Sequence, residues 1–123
     1  MTIERLATDD ASPALVLDHR SEGDAVVVSL VGEVDHATAA DLLAYASSVV
    51  GEGPARLVLD CEGLTFMDSS GLRVLVALQT DLARERGLVI RNGSTTVLRI
   101  LHVTGLEGVV EIEPAQPEAP VES

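Results

Sequence analysis

Asp68, Ser69, Ser70 and Gly71 stand together where an apolar run ending at Met67 gives way to a helical pattern starting at Leu72. A hydroxyl in that place has two uses. The first N–H groups of a helix lack intrahelical acceptors and carry the positive end of the macrodipole, so the side chain can cap the helix or, once phosphorylated, hold a dianion there. Asp and Ser are the commonest N-caps, worth about 0.5–2 kcal/mol. Gly71 fits a pure cap poorly, because a glycine in a first turn costs roughly 0.5–1 kcal/mol relative to alanine; it signals that something needs close access to that backbone. A third use, as a nucleophile, has little support: there is no Gly-x-Ser-x-Gly, and the three histidines offer no evident base oriented by a third group.

The bulk numbers narrow the partners. At 123 residues with 46% hydrophobic and 2% aromatic content, the chain can build one core of Val, Leu, Ile and Ala. Its 8 cationic residues, all Arg, face 20 acidic ones for a net charge of −12, which argues against nucleic acid and against an anionic membrane surface. With neither 18 consecutive apolar residues nor a basic-then-apolar leader, a cytoplasmic protein without membrane insertion is expected. Cys61 is the only cysteine, so no disulfide framework or cysteine metal site is expected. His19, His36 and His102 share no ligand spacing, and neither metal nor cofactor is predicted. His102 reads as a polar or half-buried helix position.

The elements that must position the cluster follow from periodicity. Residues 14–20 and 25–31 read as an antiparallel hairpin reversing over Ser21-Glu22-Gly23-Asp24. A helix is expected from Ala37 to the break at Gly51, then a short covered strand over Arg56–Cys61. A second helix is expected from about Ser69 to Arg86, with Leu72, Leu75, Val76, Leu82 and Ala83 inward and Gly87 as its stop. Leu88–Ile90 reads as a strand, Asn92-Gly93-Ser94 as turn and cap, and Thr96–Val103 as a shorter helix with Val97, Ile100 and Leu101 inward, ended by Gly105. An edge strand is expected over Leu106–Ile112. The sum is a single α/β domain over 14–112, a mixed sheet of four to five strands with helices mainly on one face. A flexible segment over 1–13 and a disordered Pro/Glu-rich tail over 113–123 complete the expected organisation.

Three stretches in this order carry a family resemblance. Leu57-Val58-Leu59-Asp60 followed by Phe66-Met67-Asp68-Ser69-Ser70-Gly71-Leu72 resembles the signature of bacterial anti-sigma factor antagonists, members of the STAS domain family. Gly32-Glu33-Val34-Asp35-His36-Ala37-Thr38-Ala39 is similar to that family's element ahead of its first long helix, and Val103-Thr104-Gly105-Leu106 to its late turn. The resemblance covers about residues 14–112. Val34 stands in place of a common Leu, and Arg73 where a small residue can occur, so partner choice can differ.

The resemblance implies a binding module switched by phosphorylation. An anti-sigma factor serine kinase would modify Ser69, with Ser70 the competing acceptor; the unmodified chain would bind that kinase and release a sigma factor. The kinase holds the ATP and magnesium, so this chain is substrate and ligand, with a phosphatase as a further possible partner. Asp35, Thr38, Asp68, Ser70, Gly71, Arg73, Ala77 and Thr80 are the expected partner-binding residues. For Asp35 and Thr38 the competing role is capping the first helix, and for Arg73, Ala77 and Thr80 a solvated face. The other readings are a STAS structural subunit of a transport or signalling complex and a serine-nucleophile enzyme.

Overall fold

A computed structural model describes residues 14–51, 56–82, 87–108 and 110–113 of the chain. The expected flexible segment 1–13 and all of the expected tail except Glu113 lie outside them. Strands β1 (Leu15–Glu22) and β2 (Ala25–Val34) form the antiparallel hairpin, pairing up to Glu22↔Ala25 so that only Gly23 and Asp24 turn. Gly23 has φ +60°, which a glycine adopts freely. Then follow α1 (Ala39–Val50), β3 (Arg56–Met67), α2 (Ser69–Ala77) with a π-helical turn at Leu78–Leu82, β4 (Leu88–Arg91), α3 (Thr95–Thr104), a 3-10 turn at Leu106–Gly108 and β5 (Glu111–Glu113). The sheet order is β1-β2-β3-β4-β5, antiparallel between the first two and parallel thereafter.

Strand alternation sorts the core. Val28 and Leu30 of β2, Leu57, Leu59 and Cys61 of β3 and Leu88 and Ile90 of β4 face the helices, which bury Leu42, Ala46, Leu75, Leu78, Val97 and Leu101 against them. No helix among the described residues covers the opposite face, yet Val27, Val58 and Val89 are buried there. The strand registers put Arg20, Glu22, Arg56, Arg91, Glu111 and Glu113 on that same face. They join as Arg56–Glu111 (2.6 Å), Arg91–Glu22 (3.2 Å), Arg91–Glu113 (3.1 Å) and Arg20–Glu22 (2.9 Å). The arginines of these pairs bring their apolar stems to the same face as the valines, with their charged heads paired there.

Five expectations about the elements change. β3 does not stop at Cys61 but continues to Met67 through a bulge. Gly63 makes this possible, since a Cβ there would fall 2.8 Å from Val31 Cγ2. α2 is shorter than expected and relaxes into the π turn, while residues 83–86 lie outside the described ones. Val76 is exposed rather than inward, because the buried stripe runs through Gly71, Val74, Leu75 and Leu78 and Val76 lies about 100° beyond Leu75. The edge strand is only three residues long and includes Glu113, because the 3-10 turn, with Val110 N–H donating to Leu106 O at 3.0 Å, consumes the residues before it. The first helix also begins at Ala39, two residues late.

Candidate functional site

The parallel strands β2 and β3 end side by side, with Val34 paired to Met67, and each leads into a helix. Two helix N-termini therefore open at one rim of the sheet. The Asp68 N–H donates to Val34 O at 3.2 Å, which ties the start of α2 to the end of β2. Gly32 bends the approach to the first helix: its φ is +120°, and a Cβ there would run into the Ala14 carbonyl oxygen.

In the turn that follows, Asp35 Oδ1 accepts from Ala37 N–H (2.9 Å) and Thr38 N–H (3.2 Å). Thr38 precedes α1 but its side chain does not cap it. Its hydroxyl instead accepts from Asp35 N–H (3.0 Å) and donates to Glu33 O (2.9 Å), and the residue is buried at 7% exposure. Thr38 thus holds the turn that presents half-buried Asp35.

Across the rim, Asp68 caps α2: its Oδ1 accepts from Ser70 N–H at 2.8 Å, and its carbonyl accepts from Gly71 N–H (3.0 Å) and Leu72 N–H (3.3 Å). First-turn N–H groups were expected to be free to hold a phosphate, but those of Ser70, Gly71 and Leu72 are already engaged, because Asp68 supplies acceptors from both side chain and backbone. Ser69 is exposed, and its hydroxyl makes no hydrogen bond among the described residues; Ser70 is half-buried. Gly71 is buried, and a Cβ on it would collide with Met67 Cγ, lie 3.0 Å from Met67 Sδ and lie 3.1 Å from Val34 Cγ1. The close access that Gly71 grants is to the protein's own core.

One turn along α2, Arg73 is exposed, Ala77 half-buried and Thr80 exposed on the π turn. Arg73 also lines a hollow of about 380 Å³ with Leu72, Val76, Thr104 and Leu106. Sequence reasoning missed this wall between α2 and the end of α3; Thr104 and Leu106 were visible only as part of a turn motif. Asp35, Asp68 and Ser69 come together at the rim, whereas Thr80 lies three turns away.

A family model described as "Mlab, STAS domain" matches residues 17–111. The chain belongs to the STAS domain family. It is 32% identical over 103 residues to the anti-sigma-F factor antagonist RsfB of Mycobacterium tuberculosis, covering 83% of this chain and 81% of that one. The crystal structure of an anti-sigma factor antagonist from Mycobacterium paratuberculosis superposes with a TM-score of 0.76 at 29% identity over 85% of this chain and 91% of the other. SpoIIAA in its unphosphorylated form gives 0.68 at 26% identity over 83% and 90%. SpoIIAA of Bacillus in its phosphorylated form gives 0.63 at 26% over 85% and 93%.

Other reactive groups of this STAS domain lie apart from the rim. Cys61 is buried in the core, and burial followed by the charge of Asp60 pushes its thiol pKa up to about 12, so it carries no thiolate at neutral pH. His19 Nδ1 and Tyr45 Oη are 2.7 Å apart, fastening β1 to α1. Among the described residues no three His, Cys, Asp or Glu side chains cluster as a metal site, and no helix is long and apolar enough to cross a membrane.

Proposed function

We propose that this STAS domain is an anti-sigma factor antagonist whose unphosphorylated form binds an anti-sigma factor kinase and thereby frees a sigma factor. Phosphorylation of Ser69 ends the interaction, with Ser70 the second candidate acceptor. The observation that carries this reading is the Ser69 hydroxyl, exposed and unbonded beside a carboxylate that is fixed in place. The names of the relatives support it: antagonists of anti-sigma factors recur among them, and one is described in both a phosphorylated and an unphosphorylated form. The chain acts in the cytoplasm as ligand and substrate rather than catalyst.

In the transfer, Ser69 Oγ bonds to the γ-phosphorus of ATP held by the kinase, the bond to ADP breaks, and the hydroxyl proton leaves to a base on the kinase. The product adds about −1.5 to −2 charge, a small change beside a net of −12. Screening over ~8 Å confines its effect to the rim. There it meets Asp68, while the N–H groups of Ser70, Gly71 and Leu72 are already bonded. A partner that covers the rim, including Asp35, Asp68, Arg73 and Ala77, must then desolvate an uncompensated dianion, a mismatch that costs about 2–5 kcal/mol.

The test uses the cognate kinase with ATP, phosphosite mapping by mass spectrometry, and binding of Ser69→Ala and Ser69→Asp variants. Modification at Ser69, tight binding by Ser69→Ala and loss of binding by Ser69→Asp are the expected results. Equal binding of both variants and of the phosphorylated protein sinks the proposal.

A further inference from the structure

Resting on Ser69 as the phosphoacceptor, we propose that Arg73 is the residue through which the phosphate acts: free to meet a partner's carboxylate when Ser69 is bare, and captured by the phosphate once Ser69 is modified. Ser69 and Arg73 are four residues apart on α2 and both exposed. That spacing puts their Cβ atoms about 5–6 Å apart, and an anion placed N-terminal to a cation is the favourable order on a helix. A planar guanidinium grips phosphate through two parallel hydrogen bonds.

Arg73 is available for both roles. In a chain with 20 acidic residues, Arg20, Arg56 and Arg91 are each held in ion pairs across the open sheet face. Among the described residues, Arg73 and Arg99 have none. Asp68, the acid nearest to Ser69 in sequence, is committed to the Ser70 N–H and repels a phosphate rather than holding it. With the N–H groups of Ser70, Gly71 and Leu72 engaged, the guanidinium of Arg73 is the charged donor one turn from a phosphate on Ser69.

The unmodified state gives Arg73 a different neighbourhood. It flanks the hollow between α2 and the end of α3, whose other walls are Leu72, Val76, Thr104 and Leu106. Val76, one of those walls, is 43% exposed. An apolar recess with one unpaired cation at its edge fits an apolar side chain flanked by a carboxylate on the kinase. Phosphorylation then acts twice, adding a repelling charge at Ser69 and withdrawing the attracting one at Arg73.

The capture of the phosphate by Arg73 is tested without a kinase. Phosphoserine is incorporated at position 69 of the full chain during translation, and the phosphate is titrated by phosphorus NMR. The midpoint is expected to lie a few tenths of a unit lower in the wild-type background than in Arg73→Gln, with partial recovery in Arg73→Lys. Arg99→Gln should leave it unchanged, and the Arg73 side-chain N–H resonance should shift only in the phosphorylated protein. Coincident midpoints for wild type and Arg73→Gln, or an equal shift in Arg99→Gln, overturn the capture. In the unphosphorylated state Arg73→Gln should weaken binding to the purified cognate kinase about tenfold, while Arg99→Gln binds as wild type does. Unchanged binding of Arg73→Gln overturns the partner contact. A kinase that never modifies Ser69 refutes the proposed function instead, whatever the phosphorus titration gives.

Discussion

Gly71 illustrates how one missing methyl group fixes the rim. The space for a Cβ is occupied by Met67 and Val34, so the helix start is pressed onto the ends of two strands. Gly71→Ala gains about 1 kcal/mol of helix propensity but forces an overpacking that costs about 1–3 kcal/mol. A net loss of up to about 2 kcal/mol is expected in urea unfolding, with Ser69 still modified by the kinase; increased stability contradicts the packing account. From the sequence, Asp68 was legible as a cap because residue type and position relative to the apolar pattern suffice for that. Gly71 revealed only that something comes close. Val34 lies 37 residues earlier and meets it solely through the β2–β3 register, which local pattern does not encode. Thr38 misled for the same reason: a threonine before a helix looks like a cap, and its burial and its bond to Glu33 O follow from how the turn folds back.

At the scale of elements, the rim works because two strand-to-helix junctions share one edge of the sheet. Asp68 is the residue joining them, through its N–H to Val34 and its carboxylate to Ser70. Asp68→Ala should cost about 0.5–2 kcal/mol, roughly 4–8 °C in Tm per kcal/mol for a domain of this size. It should also free the Ser70 N–H and remove the repelling carboxylate, so the phosphorylated variant loses less kinase affinity than phosphorylated wild type does. Calorimetry and paired affinity measurements check both parts. The hairpin, the three helices and the central strands were legible because apolar spacing differs between strand and helix. β3 runs past Cys61 because a bulge opposite Val31 lets the pairing resume at Gly63, a register feature that apolar spacing does not reveal. The reduced edge strand and the π turn reflect backbone bonding that side-chain type does not specify.

For the whole molecule, the division of labour between sheet faces was foreseeable from having too few helices to cover both. What shields the second face was not, since cross-strand ion pairs depend on register. Glu22 links Arg20 and Arg91, and its carboxyl is held below the ordinary value first by the Arg91 hydrogen bond and then by that of Arg20. The contribution is therefore present above the ordinary carboxylate value of 4.5 and fades as pH falls through the lowered one. Glu22→Gln should be less stable than wild type in urea at neutral pH, and the difference should close in acid and shrink in high salt. A difference that persists at low pH would assign the role to packing instead. The sealed position of Cys61 has a practical consequence for following such a switch. With the chain's single native thiol sheltered in the interior, a cysteine placed beside the rim would be the one site open to a maleimide dye. Kinase docking and release could then be watched by fluorescence without first removing any natural residue.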